Sequence, residues 1–152
     1  AVCLMSLRDF GRDDFAKYHP GGALGKKLLL QVKDMIENSL KPTVTPDTPI
    51  KKVIFEISEK RLGATAVVQE GKVIGVVTDG DIRRMLNDND SFTHLTAKDV
   101  MTKSPKMIQS SAMAVQALNI LEDFSITQLI VVDNNEYKGI IHLHDILKEG
   151  IV

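Results

Sequence analysis

Gly75-Val76-Val77-Thr78-Asp79-Gly80-Asp81-Ile82-Arg83-Arg84-Met85-Leu86 reads as the end of a buried strand, a turn carrying Thr78 and Asp81, and the start of a basic helix. The same phrase returns 64 positions later as Gly139-Ile140-Ile141-His142-Leu143-His144-Asp145-Ile146-Leu147. Self-similarity at a fixed period constrains a fold more than any single element, because each unit must bury its apolar face against another.

The register holds outward from that phrase without a gap. Ile50, Val53, Ile54 and Ile57 correspond to Ala114, Ala117, Leu118 and Leu121, and both sets have the spacing of a helix with one buried stripe. Thr48-Pro49 predicts an N-cap and first turn for the earlier helix, and Ser110 or Ser111 predicts the cap of the later one. Thr65-Ala66-Val67-Val68 matches Leu129-Ile130-Val131-Val132 as β-rich runs. Glu70-Gly71 and Asn134-Asn135 then supply the positive φ of tight hairpins, and Val73–Val77 and Tyr137–Ile141 return as partner strands. Lys41–Pro46 and Ser104–Ile108 read as the first strand of each unit, with prolines that place them at sheet edges. A weaker echo, Lys33-Asp34 with Lys98-Asp99, is displaced by 65 positions, so one residue was gained or lost before the helices. Each unit is therefore β-α-β-β-α, and the fold class is a mixed α+β pair related by a pseudo-two-fold axis. A unit of roughly 60 residues buries little core alone, so the two copies should pack strands against strands.

These residues resemble a tandem pair of cystathionine-β-synthase (CBS) domains over about residues 32 to 150, divided as 32–88 and 97–150. The specific part is Gly75-Val76-Val77-Thr78-x-x-Asp81-Ile82, which looks like that family's nucleotide-binding phrase. The second copy keeps Gly139 and Asp145 but has His142 in place of Thr78.

Composition excludes several classes. Hydrophobic residues are 43% and charged residues 26%, with nineteen basic against twenty acidic side chains and a formal charge of −1. That balance argues against nucleic acid, acidic polymers or a membrane surface as general partners. The single Cys3 excludes an internal disulfide and suits a reducing, cytoplasmic setting. No apolar run approaches the roughly 20 residues of a membrane span.

The chain opens inside an apolar run, Ala1-Val2-Cys3-Leu4-Met5, without a cap, which reads as the severed helix of a longer protein. Further on, His19-Pro20-Gly21-Gly22-Ala23-Leu24-Gly25-Lys26-Lys27-Leu28-Leu29-Leu30 is an irregular turn entering a short helix. By residue type alone His19 is more often a turn histidine than a catalyst. The phrase, however, resembles the end of the sugar isomerase (SIS) domain in arabinose-5-phosphate isomerases of the KpsF/GutQ type, where a CBS pair comes directly after. That resemblance makes residues 1–31 a remnant of the SIS domain and His19 a catalytic residue. An imidazole suits aldose–ketose proton transfer, but the phosphate loop and acid/base partners of such an enzyme are missing, so the piece alone is expected to be inactive.

The remaining candidates are weighed by position. Asp81 and Asp145 each enter a helix, where aspartate is either an N-cap or, as the resemblance implies, a ribose acceptor. Thr78 offers a hydroxyl to ribose or phosphate. Arg83 and Arg84 sit in a first helical turn that disfavours cations, which points to an anion or else a solvated face. His142 and His144 flank the second cleft, and two histidines without further ligands do not make a metal site.

The implied function is a regulatory CBS pair sensing a nucleotide or nucleotide-sugar, an adenosine nucleotide or CMP-Kdo, with no required cofactor. Its parent would interconvert D-ribulose 5-phosphate and D-arabinose 5-phosphate for Kdo, lipopolysaccharide or capsule synthesis. A homo-oligomer is expected, a dimer of the piece and a tetramer of the parent. The alternatives are an oligomerisation scaffold with empty clefts, or the CBS pair of an unrelated parent.

Overall fold

The computed structural model of the chain describes Gly25 and residues 28–151. His19 and the Pro20-Gly21-Gly22 turn lie outside the described residues.

The first copy runs α1 (Val32–Ile36), β1 (Thr43–Val44), α2 (Ile50–Lys60), β2 (Ala64–Gln69), β3 (Lys72–Thr78) and α3 (Asp79–Asp88). The second runs α4 (Ala97–Val100), β4 (Thr102–Lys103), β5 (Met107–Gln109), α5 (Ala114–Asp123), β6 (Gln128–Asp133), β7 (Glu136–His142) and α6 (Leu143–Lys148). Both hairpins turn on two residues of positive φ, Glu70 and Gly71 at 53° and 80°, Asn134 and Asn135 at 51° and 67°. Such turns match the right-handed twist of the strands they join. Each hairpin also carries a bulge at the same place, Val67/Val68 and Val131/Val132.

The strands are ordered β1-β2-β3-β7-β6-β5, with β4 paired to β3. The short strands β1 and β5 are the edges, as their prolines predict, each parallel to the next strand because a helix crosses over between them. Among the described residues, the two halves are joined by the short β4–β3 pairing, by Lys72 opposite Glu136, and by isolated bridges at Gln31–Met113 and Pro49–Thr96. Ala64, Ala66, Ile130, Val132, Tyr137 and Ile140 instead form an apolar cluster where the two halves meet. Each fully buried Val or Ile contributes about 1.5–3 kcal/mol, so this cluster outweighs the few bridges. The opposite faces carry helices. Val67 and Val77 pack with Ile50, Val53 and Ile57 of α2, and Leu129, Val131 and Ile141 pack with Leu118 and Leu121 of α5.

The short helices α1 and α4 change places. Val32 of α1 is fully buried in the core of the second copy, and Ala97 of α4 in the core of the first. The exchange is fixed by backbone hydrogen bonds: Val32 N and Lys33 N donate to Ala112 O and Ser110 O, while Ala97 N and Lys98 N donate to Thr48 O and Pro46 O. Asp34 and Asp99, the pair with the 65-residue offset, accept from the backbone N–H of Gln31 and Thr96 at the start of these helices. The Thr96 N–H and hydroxyl hold the Asp99 carboxyl below its ordinary value.

The exchange also corrects the expected caps. Pro49 and Met113, not Thr48 and Ser110 or Ser111, precede α2 and α5. Their first N–H groups are satisfied from a distance: Ile50 N donates to Leu95 O at 3.0 Å and Ala114 N to Leu30 O at 2.8 Å. With a backbone carbonyl supplied by the exchanged segment, no side-chain cap is needed there. Thr48 is released to accept from Thr45 N, and Ser110 to donate to Asp133, whose carboxyl is held below its ordinary value by that hydroxyl.

Candidate functional site

Four of the predicted site residues, Thr78, Asp81, Arg83 and Arg84, line one cleft of about 500 Å³ between the two copies. This lies within the usual range for small-molecule sites. From the first copy come the end of β3 and the first turns of α3. The second copy contributes Ser104, Pro105 and Lys106 before β5, and Ser125, Ile126 and Thr127 before β6. Val76, Ile126 and Ile130 give it apolar wall, and Arg83, Arg84 and Lys106 stand against Asp79 and Asp81. The basic side chains exceed the acidic ones, which favours an anion.

Thr78 is the N-cap of α3. Its hydroxyl accepts from Asp81 N at 3.2 Å, and Asp81 Oδ2 accepts in return from Thr78 N at 2.8 Å and Thr78 Oγ1 at 3.0 Å. This capping box satisfies donors that the helix would otherwise leave open. The other oxygen, Oδ1, accepts from Arg84 Nη2 and from Thr102 Oγ1 at 3.2 Å. Asp81 is 5% exposed and the Arg84 side chain 68% exposed. The choice between cap and ligand acceptor is thus not exclusive: Oδ2 serves the cap and Oδ1 faces groups of the cleft.

Sequence reasoning did not single out Thr102 or Ser125–Thr127, and took Lys106 only as part of the Ser104–Ile108 strand. Thr102 sits in β4, brought beside β3 by the register Val76 opposite Thr102. Lys106 carries its ammonium 4.0 Å over the Phe124 ring, an attraction that fixes the charge at the cleft margin. The only available sign was the proline-bearing run Ser104–Ile108.

His142 and Asp145 do not join this cleft. They start α6 as Thr78 and Asp81 start α3, but the chemistry differs. His142 Nδ1 accepts from His144 N at 3.0 Å and so replaces the threonine hydroxyl as cap, and the two rings stack at 5.2 Å. Burial holds the His142 imidazole below its ordinary value, with His144 and Lys148 acting the same way and Asp145 against them. An accepting Nδ1 and a lowered pKa both favour the neutral imidazole. Among the described residues no group of three or more His, Cys, Asp or Glu side chains is placed to hold a metal ion. Nor is any helix among them long and apolar enough to cross a membrane.

Comparison with known proteins agrees with this fold. The chain is 39% identical along its full length to the arabinose 5-phosphate isomerase KdsD of Yersinia pestis, of which it covers 47%. It therefore spans about half the length of the curated relatives it matches. Among solved structures it superposes on a CBS domain protein of Pyrobaculum aerophilum complexed with AMP with a TM-score of 0.69 at 18% identity, covering 76% of this chain and 89% of that one. On CBSX2 in complex with AMP the TM-score is 0.67 at 22% identity, covering 80% and 96%. These two likenesses establish the fold alone. The family model for the CBS domain matches twice, at residues 32–88 and 97–151. With two matches over most of its length, the chain belongs to the CBS domain family.

Proposed function

We propose that the cleft between the copies is a sensor site for a nucleotide, by preference an adenosine nucleotide, in the regulatory part of a sugar-phosphate isomerase. The observation that carries this is the convergence of the Thr78–Asp81 cap, Arg83, Arg84 and Lys106 on one cavity of about 500 Å³. A carboxylate and hydroxyl beside a basic rim suit a molecule with sugar hydroxyls at one end and phosphate at the other. AMP in two proteins of the same fold supports the adenosine choice. CMP-Kdo has no comparable support and enters as the competing probe.

The parent activity we infer is interconversion of D-ribulose 5-phosphate and D-arabinose 5-phosphate, supported by the KdsD relatives. Residues 1–31 would be the end of its SIS domain, with His19 as a catalytic residue, in the cytoplasm and upstream of Kdo, lipopolysaccharide or capsule synthesis. Several positioned groups are required for such chemistry, so the 152-residue chain alone should show no turnover of arabinose 5-phosphate. Calorimetric titration with AMP and with CMP-Kdo tests the sensor. A ligand at about a hundredfold over its Kd should also stabilise the fold by about 2.7 kcal/mol. Absence of heat and of any melting shift with both would refute the proposal.

The scaffold reading rests on a different observation. Phe55 of α2 is 66% exposed and Leu86 of α3 is 47% exposed. Large exposed apolar side chains on two helices suit a second copy of the chain. Sedimentation showing only monomer over a wide concentration range would exclude it.

A further inference from the structure

An ionised carboxylate offers about four acceptor positions. On Asp81 all are filled: Thr78 N and Thr78 Oγ1 on Oδ2, Arg84 Nη2 and Thr102 Oγ1 on Oδ1. A sugar hydroxyl can donate to Asp81 only by displacing one of these donors. The two on Oδ2 belong to the helix cap, and losing them opens the first turn of α3. On Oδ1 the mobile donor is Arg84, whose side chain is 68% exposed on a helix surface.

Resting on the nucleotide reading of the cleft, we infer that Arg84 is its specificity residue: it blocks Asp81 until a phosphate draws it away, so the site accepts a nucleoside phosphate and rejects the bare nucleoside. A guanidinium that leaves a carboxylate of 5% exposure is compensated by bidentate pairing with phosphate. A nucleoside supplies no such partner and must displace the arginine into water. The phosphate and sugar subsites are therefore coupled through one side chain, and the coupling is reciprocal. Arg83 and Lys106 line the same cleft but make no hydrogen bond to Asp81. They add attraction for the anion without making it a condition.

The test compares AMP with adenosine by calorimetry on the full chain, wild type, Arg84→Met, Thr102→Val and Arg83→Met, with melting curves for each. Arg84→Met keeps the stem and removes the donor. It should weaken AMP and tighten adenosine, narrowing their ratio by about tenfold or more, the size of an ordinary coupling between sites. Thr102→Val frees the other position on Oδ1 and should tighten adenosine without loss of AMP affinity. Arg83→Met should weaken AMP and leave adenosine unchanged. If AMP binds wild type but adenosine fails to tighten in both Arg84→Met and Thr102→Val, the blocking role is overturned and the nucleotide site stands. If neither AMP nor adenosine binds wild type, the nucleotide reading falls and the inference with it.

Discussion

Met101 packs directly over Gly75, so closely that a Cβ on the glycine would stand 2.5 Å from the methionine sulfur and 3.1 Å from its Cβ. Met101 comes just after α4, the exchanged helix, so this glycine is where the second copy's leading segment lies on the first copy's sheet. The repeat-related Gly139 has the same sequence role for another reason. A Cβ there would meet Ile36 at an ordinary 3.8 Å, but its φ of +153° is one that side chains rarely adopt. One motif glycine is kept for room and the other for backbone.

Gly75→Ala should therefore destabilise by about 1–3 kcal/mol, the range for overpacking a core. Met101→Ala in the same chain should recover part of the loss, leaving a cavity in place of a clash. A double-mutant cycle from urea denaturation measures the coupling. Strict additivity would show that the two residues do not meet.

The pH dependence stems from His142. Its folded pKa lies below the ordinary 6.5 because of burial, so the unfolded chain takes up the proton first. The cap then contributes stability at pH above about 6.5, lost as pH falls through the lower folded value. His142→Thr, which restores the cap residue of the first copy, should flatten the melting temperature between pH 8 and pH 5. An unchanged slope would remove His142 from the acid response.

Asp81 and Asp145 should respond differently to alanine. Asp81→Ala removes half of a capping box and leaves Arg84 and Thr102 without their acceptor, so it should destabilise by about 1–2 kcal/mol. It should also weaken nucleotide binding by about tenfold or more if the cleft uses that carboxylate. Asp145→Ala removes no helix cap, since His142 supplies it, and should stay within about 0.5 kcal/mol of wild type. Calorimetric titration and melting curves of both variants decide this. Equal losses of affinity would mean that the second end of the pair also binds.

Tyr137 ties the second copy to the first through its hydroxyl, which donates to Pro42 O at 2.6 Å inside the protein. Burial raises its pKa well above that of free tyrosine, so the donor keeps its proton at any ordinary pH. Tyr137→Phe should cost about 0.5–1.5 kcal/mol, the loss of one ordinary hydrogen bond, because Pro42 O keeps Ala66 N as a donor. Denaturant midpoints at constant m-value measure it.

How much was legible in the sequence varied with the distance over which each interaction acts. The hairpin turns at Glu70-Gly71 and Asn134-Asn135 are local, and their chemistry is written in two residues. The stripes of α2 and α5 are equally local, and the 64-residue register then paired the copies. The caps at Thr48 and Ser110 were misread because the needed carbonyls come from Leu95 and Leu30, far away in sequence. The state of Asp81 was hidden for the same reason, since Thr102 reaches it only after α4 crosses to the first copy. The extra residue before Lys98-Asp99 was the one visible trace of that crossing, and periodicity alone gives it no direction.

The crossing makes the two halves hostages of each other. A chain opened between Asn89 and Leu95 would yield pieces that each hold a helix fitted to the other's core, α1 for the second and α4 for the first. Neither piece can complete its hydrophobic core alone, so the pieces should complement one another when mixed. The order of attachment also matters. Whatever is joined ahead of α1 is anchored on the second copy, whereas the Asp81 cleft grips Thr102, just behind α4 on the first. A ligand and an upstream neighbour would thus pull on opposite ends of one interlocked body.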